Sequence, residues 1–242
     1  MTSLVPRHQI NTHTARGQNT VYMMEAAAVL GRDRPLRILS FGCSSGEECL
    51  DAADIFPNAI IKGVELDDKA FEKAATISHD RISIEKSTYE AIFAGGPYDL
   101  ILGMSVFCRY PLPKGVVNIK DVYKFGLFID TINLLHDVLK PGGLMCLYNS
   151  MYFFDDCPVS MDYVPLVSRK VHAGWMPKYY SEGDVATQVE HYWEGQVYSF
   201  VDWVRTASAD FVTKKEAVRH VWINPRSKGS RRVDTPFWRK RR

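Results

Sequence analysis

The hydrophobic and polar positions of this 242-residue chain fall into short alternating blocks between Leu36 and about Phe154. Ahead of them, "NTVYMMEAAAVLG" (Asn19 to Gly31) is rich in Ala and Met and closes on a glycine, which predicts a helix. "LRILSFG" is a short apolar run suited to a buried strand. In "GEECLDAADIF" apolar residues recur at helical spacing until Pro57 stops them. "AIIKGVEL" predicts the next strand. "DDKAFEKAATIS" predicts a helix whose opening acids suit the positive end of the helix dipole. Further strands are expected at "ISIEKS", "YDLILGMSVF" and "GLMCLYNSMYFF". The last two are separated by a long amphipathic helix, "KDVYKFGLFIDTINLLHDVL", ended by Lys140-Pro141-Gly142-Gly143. Strand alternating with helix predicts an α/β fold with a doubly wound, mostly parallel sheet.

After Phe154 the pattern changes. Pro158, Pro165 and Pro177 punctuate it, and Trp175, Tyr179, Tyr180, Tyr192, Trp193 and Tyr198 crowd it with aromatics. "EHYWEGQVYSFVDWV" fits a hairpin or a helix, and "FVTKKEAVRHVWI" is equally ambiguous. This region is expected to finish the sheet and cover the site.

At 46% hydrophobic and 24% charged residues, the chain can bury one large core. No apolar run approaches the roughly 18 residues of a membrane span, so no membrane partner is expected. No secretory signal is visible in "MTSLVPRHQINTHTARGQ". The cysteines Cys43, Cys49, Cys108, Cys146 and Cys157 are odd in number and include no C-x-x-C pair. A reduced, cytoplasmic protein without a metal site is expected. The net charge of +2 conceals an asymmetry, because residues 225–242 hold eight Lys or Arg and one acid, leaving −5 for the rest.

The candidate chemistry begins at Gly42-Cys43-Ser44-Ser45-Gly46. Its G-x-S-x-G spelling is that of a serine-hydrolase elbow, which would need a downstream histidine such as His172, His191 or His220. The elbow would, however, follow the first strand of the block, with no glycine-rich oxyanion segment before it. The alternative is a glycine-rich turn that lets backbone approach a nucleotide-like cofactor. That reading requires an acid at the end of the next strand to take ribose hydroxyls, and Glu65 stands 19 residues after Gly46. A P-loop is excluded, since no Gly-Lys-Ser/Thr follows. Acids Glu47 and Glu48 would repel a pyrophosphate and suit a cationic ligand, such as the ammonium or sulfonium of S-adenosylmethionine. Alternatively they only favour the helix N-terminus.

Together "LRILSFGCSSGEE", "GVELDD", "GPYDLILGMSVF" and "LLHDVLKPGGLMCL" resemble the class I S-adenosylmethionine-dependent methyltransferases. In its glycine-loop motif the chain is most similar to the chemotaxis-receptor glutamate methyltransferase branch. It lacks that branch's Cys-Arg-Asn, having Gly103-Met104-Ser105 instead, and only 35 residues precede the first strand, so receptor methylation is not expected. The resemblance implies a Rossmann-like seven-stranded sheet, mostly parallel, with an antiparallel C-terminal strand. It divides the chain into an N-terminal helical cap (1–35), a methyltransferase domain (36–224; cofactor half 36–150, substrate-covering half 151–224) and a basic C-terminal tail (225–242). Its implied cofactor is S-adenosyl-L-methionine. Gly42, Cys43, Ser44 and Gly46 would line the methionine part, with Glu47 facing the ammonium. Glu65 would hold the ribose and Leu66 pack near the adenine. Ser87 and Thr88 stand where relatives place an acid for the adenine amino group, and Met104 and Ser105 would border the methyl.

The acceptor is expected to be a small molecule methylated at oxygen or nitrogen, a carboxylate among the options. His172, Arg109 and Tyr22 are candidates for catalysis, and Arg16, Tyr110, Tyr152 and Trp175 for substrate contact. Arg16 and Arg109 would clamp a carboxylate bidentately. His136, mid-helix, is expected to be structural. The second reading is an RNA methyltransferase, with the basic tail offering cations for phosphate and Phe237 and Trp238 for base stacking, and a third is a binding protein that keeps the cofactor fold without catalysis.

Overall fold

Gly31, at a left-handed φ of 89°, closes the first helix, Thr20–Leu30 (α1). Arg37–Phe41 (β1), Glu47–Ile55 (α2), Ile60–Glu65 (β2), Asp68–Ala74 (α3) and Ile82–Lys86 (β3) follow. Then come Tyr89–Gly95 (α4), Tyr98–Met104 (β4), Phe125–Val138 (α5), Leu139–Tyr148 (β5) and Tyr163–Leu166 (β6). The last strands are Glu190–Trp193 (β7), Gln196–Ser199 (β8), Val221–Ser227 (β9), Ser230–Asp234 (β10) and Phe237–Lys240 (β11). The computed structural model describes residues 3–113, 115–166, 171–186, 190–193, 196–199, 221–227 and 230–242.

The main sheet runs β3-β2-β1-β4-β5-β11-β6. Its pairs from β3 through β5 are parallel, and β11 is antiparallel to both neighbours. The expected fold, including the antiparallel C-terminal strand, is therefore present. Side-chain alternation explains the layering. Leu39 and Phe41 of β1 enter one core with Ile101, Phe128 and Leu135, while Leu36 and Ile38 enter the other with Cys49, Phe56 and Leu100. Each fully buried aliphatic residue of this kind stabilises the fold by about 1.5–3 kcal/mol. That term dictates a central strand covered by helices on both faces.

Several local expectations change. Helix α4 was not anticipated; the Thr88 side chain caps it by accepting from Ala91 N at 3.0 Å. Helix α5 starts at Phe125 rather than Lys120, because the preceding turn buries Ile119 and Tyr123. Strand β5 ends at Tyr148, since Asn149 takes a left-handed φ of 58° and turns the chain. Within "EHYWEGQVYS", β7 pairs antiparallel with β8, and the two join β9 and β10 in a second, antiparallel sheet. Most of "FVTKKEAVRHVWI" lies outside the described residues.

Both terminal segments are built into the fold. Among the described residues of 1–35, α1 is the one helix. Residues 3–18 instead run extended over the carboxyl edge of the sheet, where Val5 N donates to Ser87 O (3.1 Å) and Gly17 N to Asp51 Oδ2 (2.8 Å). At the other end, residues 225–242 are not a separate tail, because β9 and β10 occupy most of 221–234 and β11 is inserted between β5 and β6. Phe237 and Trp238 are buried, so their apolar area is spent on the core rather than left for stacking on bases. The nearby cations have structural duties: Lys240 Nζ donates to the carbonyls of His136 (2.7 Å) and Leu139 (3.0 Å) at the negative end of α5. Arg239 Nε donates to Gly142 O at 3.3 Å. His136 itself contacts the Tyr163 hydroxyl at 3.2 Å.

Candidate functional site

The carboxyl ends of the parallel strands open into a cavity of about 240 Å³, roofed by residues 6–14. Among the described residues, three non-glycine residues take left-handed backbone conformations: Ser44 after β1 (φ 52°), Ser105 after β4 (φ 58°) and Asn149 after β5 (φ 58°). All three line this cavity. Such a conformation costs on the order of 1–2 kcal/mol per residue, and strain of this kind clusters at functional sites.

At one end of the cavity the glycine turn meets β2. Gly42 N and Cys43 N donate to Val64 O (2.9 and 3.0 Å), so the turn is stitched to the neighbouring strand. Gly46 begins α2 at φ 91°, a conformation glycine tolerates without strain. Glu65 is buried, and its carboxylate accepts from Ser44 N (2.8 Å), Leu66 N (2.7 Å) and Asp67 N (2.8 Å). A carboxylate offers about four acceptor positions, so Glu65 retains capacity for a hydroxyl donor in the cavity.

Beside the turn, Glu48 is buried and accepts from Ser40 Oγ (2.7 Å) and Asn19 Nδ2 (3.0 Å). Among the described residues it has no cationic partner, and burial pushes its pKa up to about 7. Glu47 does not border the cavity; it accepts from Ser45 Oγ at 2.7 Å. The carboxylate available to a cationic ligand is thus Glu48, not the expected Glu47. One helical step decides it, because successive side chains of α2 point about 100° apart.

Of the other expected cofactor residues, Leu66, Ser87, Met104 and Ser105 line the cavity with Gly42, Cys43 and Ser44. Gly46 and Thr88 do not. Gly46 serves the turn behind the wall, and Thr88 caps α4. Glu90, two residues after Thr88, is exposed outside the cavity, with its carboxylate 3.5 Å from Ser3 N.

The expected substrate and catalytic residues divide sharply. Tyr110 and Trp175 border the cavity, their rings meeting edge to face at 5.4 Å. The rest do not line it. Tyr22 is buried, donates to His172 O at 3.0 Å and packs on Tyr148, and its burial raises its pKa, so it is unsuited to act as a base. His172 lies against Tyr22 and Tyr148, and its Nδ1 accepts from Gly174 N at 3.2 Å. Arg109 donates to Arg7 O (2.8 Å) and stacks over the Tyr123 ring (4.9 Å), bracing the N-terminal segment. Arg16 pairs with Asp51 (3.2 Å) and Asp54, tying that segment to α2. Tyr152 is core, donating its hydroxyl to Tyr123 O. Neither arginine lines the cavity; each braces the N-terminal segment instead, so the two do not meet as a clamp.

Several cavity residues had no recognisable motif. His8 is buried between the Tyr123 hydroxyl (2.7 Å) and Thr131 Oγ1 (2.8 Å), and burial with help from Arg109 lowers its pKa to about 3. Asn149 donates from Nδ2 to Ser105 Oγ (2.9 Å) and accepts Trp175 N at Oδ1 (2.9 Å). Gly174 makes that second contact possible, since a Cβ there would come within 2.8 Å of the Asn149 backbone. Ser44 Oγ donates to Thr12 O, so the serine of the G-x-S-x-G run faces a carbonyl rather than a histidine. That arrangement offers no activated nucleophile.

No protein-family model and no curated protein matches the chain. Among solved structures it is similar to the plantazolicin methyltransferase BpumL in complex with SAH, at 17% identity and TM-score 0.39 over 54% of this chain and 46% of that one. It is also similar to a protein-L-isoaspartate O-methyltransferase, at 18% identity and TM-score 0.34 over 52% of this chain and 35% of that one. Cofactor-bound Rv0187 from MTB matches at 18% identity and TM-score 0.39, over 56% of this chain and 57% of that one. The chain thus spans between 35% and 57% of the length of these three. Likeness this distant does not bear on chemistry.

Proposed function

We propose that this protein is an S-adenosylmethionine-dependent methyltransferase acting on an oxygen or nitrogen of a small molecule. The observation that supports this most is the pairing of Glu65 and Glu48 around the glycine turn, on the carboxyl edge of a parallel sheet with one antiparallel strand second from its end. The residues fit the cofactor. Glu65 has acceptor capacity for a ribose hydroxyl, and Glu48 is a buried acid lacking the counter-charge that an ammonium would supply. Leu66 and Ser87 would border the adenine, and Met104 and Ser105 the reactive end. When bound, the cofactor supplies an electrophilic methyl group.

The chain's own part is to bind, orient and exclude water. Backbone of the glycine turn and residues 6–14 enclose the ligand, and Ser105 and Asn149 form a polar floor where the acceptor enters. Tyr22 and His172 do not face the cavity, so neither takes the acceptor's proton. An acceptor with a free lone pair needs no base, and one carrying a proton would release it to bulk solvent outside the mouth, away from the enclosed methyl.

Calorimetry with S-adenosylhomocysteine tests the reading directly. Binding is expected, and the Glu65→Ala variant should bind more weakly by about 1–3 kcal/mol, as for loss of a charged hydrogen-bond acceptor. No heat of binding at any pH overturns it.

A further inference from the structure

The acceptor end of the cavity has a composition of its own. Trp175 is 59% exposed and Tyr110 42% exposed, although large aromatic side chains are normally drawn inside. Both stand at the mouth of the same cavity, edge to face. Their backbones are held: Trp175 N donates to Asn149 Oδ1 (2.9 Å) and Tyr110 N to Gln9 Oε1 (3.2 Å). Met176 and Tyr148 continue the apolar wall behind them. Among the described residues lining the cavity, Arg7 is the one arginine or lysine, and it lies 3.5 Å from Asp67, beside Leu66 at the opposite end. Glu48 and Glu65 lie at that end too. Among the mouth residues Tyr110, Tyr148, Trp175 and Met176, a carboxylate would find no guanidinium or ammonium partner, and a cationic amine no carboxylate.

We propose that Tyr110 and Trp175 form a mouth for an uncharged planar ring, a phenol or a nitrogen heterocycle, which they hold by stacking over the Ser105–Asn149 floor. The assignment of this ring as the methyl acceptor rests on the methyltransferase reading; the ring site itself does not. A ring of this kind could be a free small molecule or a base of a nucleic acid. The free molecule is favoured, because a phosphate backbone requires cations that these mouth residues lack.

The test is calorimetric titration with 2-naphthol, 2-naphthoate and decahydro-2-naphthol, in the presence and absence of S-adenosylhomocysteine. 2-Naphthol should bind about tenfold tighter than either comparison compound, reflecting ring stacking without charge. Trp175→Ala and Tyr110→Ala should each weaken 2-naphthol about tenfold while leaving S-adenosylhomocysteine affinity unchanged, and Trp175→Phe should recover most of the loss. Equal or tighter binding of 2-naphthoate or of the saturated alcohol overturns the proposal, as does full affinity in the alanine variants. An octameric oligoribonucleotide that binds tighter than 2-naphthol and displaces it would reassign the ring to nucleic acid. If S-adenosylhomocysteine does not bind, the cofactor reading falls, while the titration without it still decides the mouth.

Discussion

The two ends of the cavity are built on opposite principles. At the β1–β2 end, Glu65 is held by three backbone N–H groups and Glu48 by a serine and an asparagine, all out of bulk water. At the β4–β5 end the walls are aromatic and partly exposed, with Trp175 and Tyr110 anchored through their backbone N–H groups. Burial makes polar recognition strong, but every group must then be satisfied in one fixed geometry. An apolar mouth selects by shape and area and tolerates a range of occupants. One cavity can therefore hold one charged ligand rigidly while leaving its second ligand to the contour of the mouth.

The sharpest way to break this division is Gly174→Ala. At φ 131° and with the Asn149 backbone 2.8 Å from a Cβ, the substitution strains the backbone and overpacks the acceptor wall. A loss of about 3 kcal/mol or more is expected in urea unfolding. S-adenosylhomocysteine affinity should fall far less than 2-naphthol affinity, and equal losses would show that the two ends are not separable.

Next in size is His8→Ala, which leaves the Tyr123 hydroxyl and Thr131 without their shared partner and loosens the roof over both ends. A cost of about 2–4 kcal/mol is expected. The lowered pKa adds a pH signature. Between its ordinary value of 6.5 and about 3, unfolded His8 is protonated while the folded ring is not. Stability is present above 6.5 and is lost as pH falls through that window, and the variant should lack that part of the slope.

Glu48 has the opposite sign. Its folded pKa of about 7 lies above the ordinary 4.5, so the folded state keeps a proton that the unfolded state has released. Its contribution is fully present below 4.5 and is lost as pH rises toward 7. Glu48→Gln should remove that loss, gaining on the order of 1–3 kcal/mol at pH 8 in denaturant titrations, and should weaken S-adenosylhomocysteine. Unchanged cofactor affinity would detach Glu48 from the charged end. The smallest effect belongs to Arg16→Ala. Its pairs with Asp51 and Asp54 sit on a side chain 46% exposed, so less than about 1 kcal/mol of stability is expected and no change in affinity for a carboxylate compound.

Much of the β1–β2 end of the cavity was legible along the chain. A glycine turn after a strand, with an acid closing the next strand, is a local pattern, and Glu65 and Ser44 occupy the places it predicts. Glu47 against Glu48 was not legible, because both acids begin the same helix and only the facing of α2 separates them. The β4–β5 end was harder to read. Tyr110 and Trp175 are at the cavity, but Arg16, Arg109, Tyr22, His172 and Tyr152 are not. Whether an arginine or tyrosine is a tool or a brace depends on partners such as the Arg7 carbonyl and Asp51, which are remote in sequence from Arg109 and Arg16.

By itself the sequence determined the alternating core, the order of its strands and of its helices apart from α4, and the polar turn at the first strand's end. These depend on periodicity and backbone freedom, which act between near neighbours. Only the tertiary structure decided that a basic, aromatic C-terminal run becomes a buried strand beside β5, that residues 3–18 roof the cavity, and that two aromatics stay in water at its mouth. Those outcomes turn on which surfaces are left uncovered once the sheet has formed, and free energy of burial is set by the assembled surface rather than by any segment alone.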